Sequence, residues 1–145
     1  MKISIKLILY SFLLLATTGA QAQEETFTPP FDFPITFSGN FGEIRSNHFH
    51  GGLDFKTGGV IGKPVHALAD GHISRIRVTH GSGYVLDVDY DNGYSTINRH
   101  LSAFTGDVAR RVKELQYEKE SWEVEVVPEP GEYPVKAGPV SYTHL

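Results

Sequence analysis

Cysteine is absent from all 145 residues, and methionine and tryptophan occur once each. The first absence excludes disulfides, thiolate metal ligands and attachment of a lipid at a lipoprotein cysteine. Any metal site in this chain must therefore be built from His, Asp or Glu. No apolar run after the first two dozen residues is long enough to span a membrane, and there is no internal repeat or low-complexity tract. Positive charge is also short: 13 Lys and Arg stand against 17 Asp and Glu, a formal net charge of −4. A polyphosphate partner needs the opposite balance, so no nucleic acid is expected.

What is present begins with a leader. Lys2 and Lys6 supply a positive end, Leu7 to Ala16 is mostly apolar, and Ala20, Gln21 and Ala22 form a small-residue cleavage signal. Residues 1–22 read as a secretory signal peptide, which removes any transmembrane span on export and points to a secreted, periplasmic or cell-envelope location. The 40% hydrophobic composition of the whole chain is ordinary for a folded domain. Residues 23–34, with Pro29, Pro30 and Pro34, read as an extended lead-in lying across that domain.

From Ile35 the signals are those of short strands separated by turns. Pro64 to Ala69, His72 to Thr79 and Tyr84 to Tyr90 are expected strands. In the last of these Tyr84, Leu86, Val88 and Tyr90 oppose Val85, Asp87 and Asp89. Asp91, Asn92 and Gly93 then predict a hairpin that returns Tyr94 to Ser102 antiparallel, because Asn and Gly tolerate positive φ. Val108, Val112 and Leu115 change the period to i, i+4, i+7, which predicts one helix within Thr105 to Ser121 with Asp107 as its cap. Trp122 to Val127 alternates again and predicts a strand with one wet face. The fold class expected is mainly β, antiparallel sheets with one short helix.

The chemistry-bearing run is HFHGGLDF, in which His50 and Asp54 bracket Gly51 and Gly52. Imidazole and carboxylate are both zinc ligands, but four residues of extended strand span roughly 13 Å, so the chain must bend at the glycines if the two are to share an ion. His48, one strand period away, offers a competing ligand pair with His50. Counting alternate residues back from His100 places Asn98 and Thr96 on its face and Ile97 and Leu101 on the other. On such a polar face an imidazole is free to act as base, acid or oxyanion donor. His66, His72 and His80 are expected to be structural or solvated, and Glu118, Glu120, Glu123 and Glu125 to form a solvated face.

Taken together these motifs resemble the M23 family of zinc metallopeptidases, the lysostaphin-like or LytM-type enzymes. The HxxxD pair falls on His50 and Asp54, Gly62 to Ile73 is similar to the GxPVxAxxxGxV element, and Arg99 to Leu101 is similar to YxHL. The resemblance implies a duplicated-hybrid-motif β fold over residues 35–138, Zn2+ as cofactor held by His50 and Asp54, and His100 as the catalytic histidine. It implies a peptidoglycan peptide as substrate, cut by metal-assisted amide hydrolysis, with any protein regulator unspecified. Two departures stand out. Asn98 and Arg99 replace an aromatic and a small residue, which predicts an altered substrate fit. The family's C-terminal HxH motif, source of its third zinc ligand and a second catalytic histidine, has no counterpart, so residues 139–145 read as a truncated or non-native tail and the fragment is expected to bind zinc weakly and hydrolyse little. A catalytically silent LytM-like module that binds wall or activates an amidase is the alternative. The GxPVxA element is also similar to biotinyl and lipoyl carriers, but those need a lysine at a hairpin tip, and Asp91, Asn92 and Gly93 supply none.

Overall fold

Alternating apolar residues from Gly71 to Leu101 produce the centre of the structure, three long antiparallel strands joined by tight turns. The computed structural model describes residues 26–144, and the leader expected over residues 1–22 lies outside them. In chain order the elements are β1 (Phe37–Gly39), β2 (Asp54–Phe55), β3 (Pro64–Ala67), β4 (Gly71–Thr79), β5 (Gly83–Tyr90), β6 (Ser95–Leu101) and β7 (Ala103–Phe104). They continue with α1 (Gly106–Glu118), β8 (Val124–Val126), β9 (Pro134–Val135) and β10 (Gly138–His144). The main sheet runs β6-β5-β4-β8, with β9 paired to the start of β4, while β3-β10-β7 and β1-β2 form two smaller sheets. All named strand pairs are antiparallel. The fold is thus mainly β with a single short helix among the described residues.

The hairpin at Asp91 to Gly93 forms as expected: Tyr90 N–H donates to Tyr94 O at 2.8 Å, and Gly93 has φ +85°. Between the main sheet and α1 lies the core. Ile73, Ile76 and Val78 from β4 and Val108 from the helix are fully buried, with Leu86, Val88, Val112, Leu115 and Val124 packed around them. Burying a side chain of this size contributes about 1.5–3 kcal/mol relative to leaving it in water, which is why these residues decide the layer packing. Val85, expected on the polar side of β5, is also buried, and Asp87 on that side is tied to Arg77 Nη2 at 2.7 Å.

Two boundaries differ from expectation for physical reasons. The helix is capped in sequence by Thr105, in an extended conformation with no side-chain cap bond, and Asp107 sits inside the first turn, where it pairs with Arg110 at 3.0 Å. A carboxylate there still favours the positive end of the helix dipole, so the sequence signal marks the helix start but lies two residues past the cap. The strand expected from Trp122 is confined to Val124–Val126, because Gln116 Nε2 donates to the Trp122 carbonyl at 2.8 Å and occupies that acceptor.

The lead-in is pinned to the domain. Thr28 N–H donates to Leu68 O at 2.7 Å, His66 N–H to Pro30 O at 2.9 Å, and Phe31 is buried against Phe33 and Phe55. At the other end, the backbone of β10 pairs with β3 and β7, with Thr143 opposite both Val65 and Phe104. No helix among the described residues is long and apolar enough to cross a membrane.

Two stability predictions follow from this packing. A Cβ at Gly71 would collide with the backbone of Asp89 and Tyr90 on the paired strand, whereas one at Gly81 meets nothing within 4 Å. Gly71→Ala is expected to cost about 1–3 kcal/mol in denaturant unfolding, and Gly81→Ala less than about 0.5 kcal/mol. Asp70 accepts hydrogen bonds from Lys136 Nζ at 2.7 Å and Ala137 N–H at 2.9 Å, and chiefly the lysine holds its carboxyl below the ordinary value of 3.8. A lowered folded-state pKa gives stability that is present above that ordinary value and lost as pH falls through the lower one. Asp70→Asn should therefore flatten the acid limb of the stability–pH curve below about pH 4 and leave its shape near neutrality unchanged.

Candidate active site

His50 and Asp54 are brought together by a short hairpin and a bend. Arg45 N–H donates to His48 O at 2.9 Å, His50 N–H to Glu43 O and Gly42 N–H to His50 O at 2.8 Å, which closes the segment over residues 42–50 on itself. The chain then bends at Gly52 before entering β2 at Asp54. Neither Gly51 nor Gly52 uses positive φ. Nor does either glycine meet a close approach: a Cβ at Gly52 would sit in ordinary contact, 3.9 Å from His50 Nε2, and one at Gly51 would meet nothing within 4 Å.

As a result His50 Nε2 lies 3.1 Å from Asp54 Oδ1. The opposite ring nitrogen, Nδ1, is 3.0 Å from the Asn40 carbonyl and 3.4 Å from Arg45 Nη2. A carbonyl only accepts and a guanidinium only donates, so Nδ1 cannot satisfy both. The shorter contact assigns the proton to Nδ1, donated to Asn40 O. Nε2 then presents a lone pair to a carboxylate oxygen, an arrangement that is repulsive unless a proton or a metal cation lies between them. The residues fit a zinc ion on this ground. Tetrahedral ligand atoms at ordinary Zn–N and Zn–O distances are about 3.3 Å apart, close to the separation seen, and the backbone carbonyl on the far nitrogen is the usual outer partner of a metal-binding imidazole.

Arg45 is the neighbour that sequence reading missed. Its Nη2 lies 2.7 Å from Asp54 Oδ2 and 3.3 Å from Glu43 Oε2, so it holds the carboxylate by one oxygen and leaves Oδ1 facing His50. Nothing in residue spacing links Arg45 to Asp54 nine positions later; only the folded hairpin does. His48, the competing ligand, lies on the same cleft with its Nδ1 2.6 Å from Asn47 Oδ1.

His100 reaches the same place by a route the alternation did not foresee. Between the pairs Leu86↔Asn98 and Tyr84↔Leu101 the register of β5 and β6 slips, so that Arg99 and His100 together oppose Val85. His100 takes φ +58° in this bulge, with its N–H donated to Ser82 O at 3.1 Å. The extra residue inverts the phase. Leu101 turns into the core while Ile97 stays exposed, so the two residues expected to share a face do not. Thr96 and Asn98 are likewise separated from His100. Their side chains face inward, Thr96 Oγ1 2.9 Å from Tyr90 OH and Asn98 Nδ2 3.2 Å from Leu86 O, whereas His100 lines a cleft of about 540 Å3 with Arg45, Ser46, His48, His50 and Asp54. Bulges of this kind re-aim a side chain, and this one turns an imidazole toward the His50–Asp54 pair.

The cleft supplies an imidazole–carboxylate pair suited to a cation and two further imidazoles, His48 and His100, on its wall. Among the described residues no three or more His, Cys, Asp or Glu side chains are gathered closely enough to hold a metal ion together.

Compared with known proteins, residues 48–117 match the family model described as Peptidase family M23. No curated protein and no solved structure matches the chain.

The bulge makes a stability prediction independent of any activity. A side chain at positive φ costs roughly 1–2 kcal/mol, and a β-branched one more. His100→Gly should leave global stability unchanged or raise it by up to about 1 kcal/mol, while His100→Val should lower it by about 1–2 kcal/mol in denaturant unfolding. Equal effects of the two substitutions would show that the left-handed residue is absent in solution.

Proposed function

Over residues 48–117 the chain belongs to peptidase family M23, and from that premise we propose that it is an exported zinc metalloendopeptidase acting on the peptide crosslinks of bacterial peptidoglycan. The observation that carries the reading is His50 Nε2 held 3.1 Å from Asp54 Oδ1, with His100 on the wall of the same cleft. His50 and Asp54 would hold the ion. Bound there, zinc supplies Lewis acidity toward water and the scissile carbonyl.

The chain's own residues do the rest. The Asn40 carbonyl keeps the proton on His50 Nδ1, and Arg45 fixes the Asp54 carboxylate by its Oδ2, so both donors are oriented before anything binds. His100, exposed on its bulge, is free to hydrogen-bond the attacking water or the carbonyl oxygen as negative charge develops on it. An exported enzyme with this chemistry meets wall polymers, whose crosslinks are peptides held outside the cytoplasm.

A second reading is supported by the same site: two donors are one fewer than a catalytic zinc centre uses. On that reading the cleft binds wall peptide, or helps activate an amidase, without cutting. Because two donors hold an ion weakly, zinc uptake is the sharper first readout and cleavage the second.

Isothermal titration of the chain with zinc should show one weak site, lost at least tenfold in His50→Ala and in Asp54→Ala. Zinc-dependent release of new amino termini from purified peptidoglycan, abolished by a chelator and by either substitution, supports the enzyme. Wall binding with no such release under saturating zinc selects the silent module, and zinc uptake indifferent to both substitutions overturns the metal site itself.

A further inference from the structure

The bulge that delivers His100 also displays Arg99, and Arg99 is not used by the site described above. It is exposed, and among the described residues no acidic side chain forms an ion pair with it. The other arginines of the site and main sheet are paired: Arg45 with Asp54, Arg75 with Glu125, Arg77 with Asp87. In a chain of net charge −4, an uncompensated guanidinium one residue from His100 is conspicuous.

Arg99 stands at a second cleft, of about 400 Å3, whose wall includes Asn98 from β6 and Gly52 and Leu53 from the loop between His50 and Asp54. The same two chain segments contribute to both clefts, Gly52 and Leu53 standing between the ligand pair and Arg99 beside His100. A substrate whose scissile bond lay at the first cleft would send its neighbouring residue toward the second. Inside that second cleft His66 is 94% buried by its 6% relative exposure. Its Nδ1 has no hydrogen-bond partner, and its Nε2, though 2.9 Å from Asp32 Oδ2, is not in hydrogen-bond alignment with it. A buried imidazole left in this state is stabilised by any ligand that brings a complementary polar group.

We propose that Arg99 is a specificity-determining residue that binds a free carboxylate of the peptide substrate, with the carboxylate-bearing residue seated in the cleft between the His50–Asp54 loop and β6. The inference rests on the reading of this chain as a wall-peptide enzyme or binder, and it holds for either. The planar guanidinium fork matches a carboxylate in two parallel hydrogen bonds, which a lysine cannot reproduce. A peptide offers no other common anion. His66 meets a polar atom of the same residue deeper in the cleft.

The test compares two synthetic wall-type peptides that differ only in a C-terminal carboxylate against a C-terminal carboxamide, titrated by fluorescence anisotropy into the full chain at low salt without added metal. The carboxylate form should bind about fivefold more tightly, the upper end for a solvent-exposed ion pair, and the preference should shrink as salt is raised. Arg99→Gln should abolish the preference while leaving carboxamide binding unchanged, and Arg99→Lys should restore only part of it. Equal binding of the two peptides to the unaltered chain, or an undiminished preference in Arg99→Gln with circular dichroism unchanged, overturns the role of Arg99 and leaves the wall-peptide reading standing. Binding of neither peptide overturns both.

Discussion

An imidazole lone pair and a carboxylate oxygen do not rest 3.1 Å apart unless positive charge sits between or beside them, and most of the site is organised around that constraint. The Asn40 carbonyl takes the proton of His50 Nδ1, which exposes the lone pair on Nε2. Arg45 takes the far oxygen of Asp54, which aims the near one. The Asn40 contact thus increases the demand for a cation on the inside, while the Arg45 guanidinium orients the carboxylate and offsets part of its charge. A site built this way is suited to a proton or a cation, because its neighbours orient both side chains toward the space between them.

The second organising device is the irregularity in β6. A regular strand would leave His100 on the inward face with Thr96 and Asn98, competing for the space that Leu101 fills. One extra residue lets the strand serve both needs, sending Leu101 inward to the core and His100 outward to the cleft. The local cost is a non-glycine residue at φ +58°, offset by the long hairpin β5–β6 and by the His100 N–H bond to Ser82. The same device exposes Arg99, so a single slip in register shapes both the proposed reacting centre and the proposed specificity element beside it.

Much of the scaffold was legible because its causes are local. Strand alternation over Gly71 to Leu101, the Asn-Gly turn and the i, i+4, i+7 set of Val108, Val112 and Leu115 depend on neighbours a few residues apart, and each produced the element expected. The misses arose where distant groups intervened. Thr105 rather than Asp107 precedes the helix, Gln116 captures a carbonyl that Trp122 would have used in a strand, and Val85 is covered although its pattern marks a wet face. The ligand pair was legible as a spacing, HxxxD around two glycines, but Arg45 was not, since its link to Asp54 depends on a hairpin closing first.

Residue order alone determined which atoms are available: no thiolate, a histidine and an aspartate close enough in the chain to be joined by one bend, and a histidine near the end of a returning strand. These follow from composition and from the short reach of the backbone. Only tertiary structure decided where those atoms point, because a register slip in β6 and an arginine folded back across nine residues are set by long-range pairing and packing. Side-chain direction alternates with every residue, so a slip of a single position, invisible in composition and spacing, reverses which groups face the core and which face the cleft.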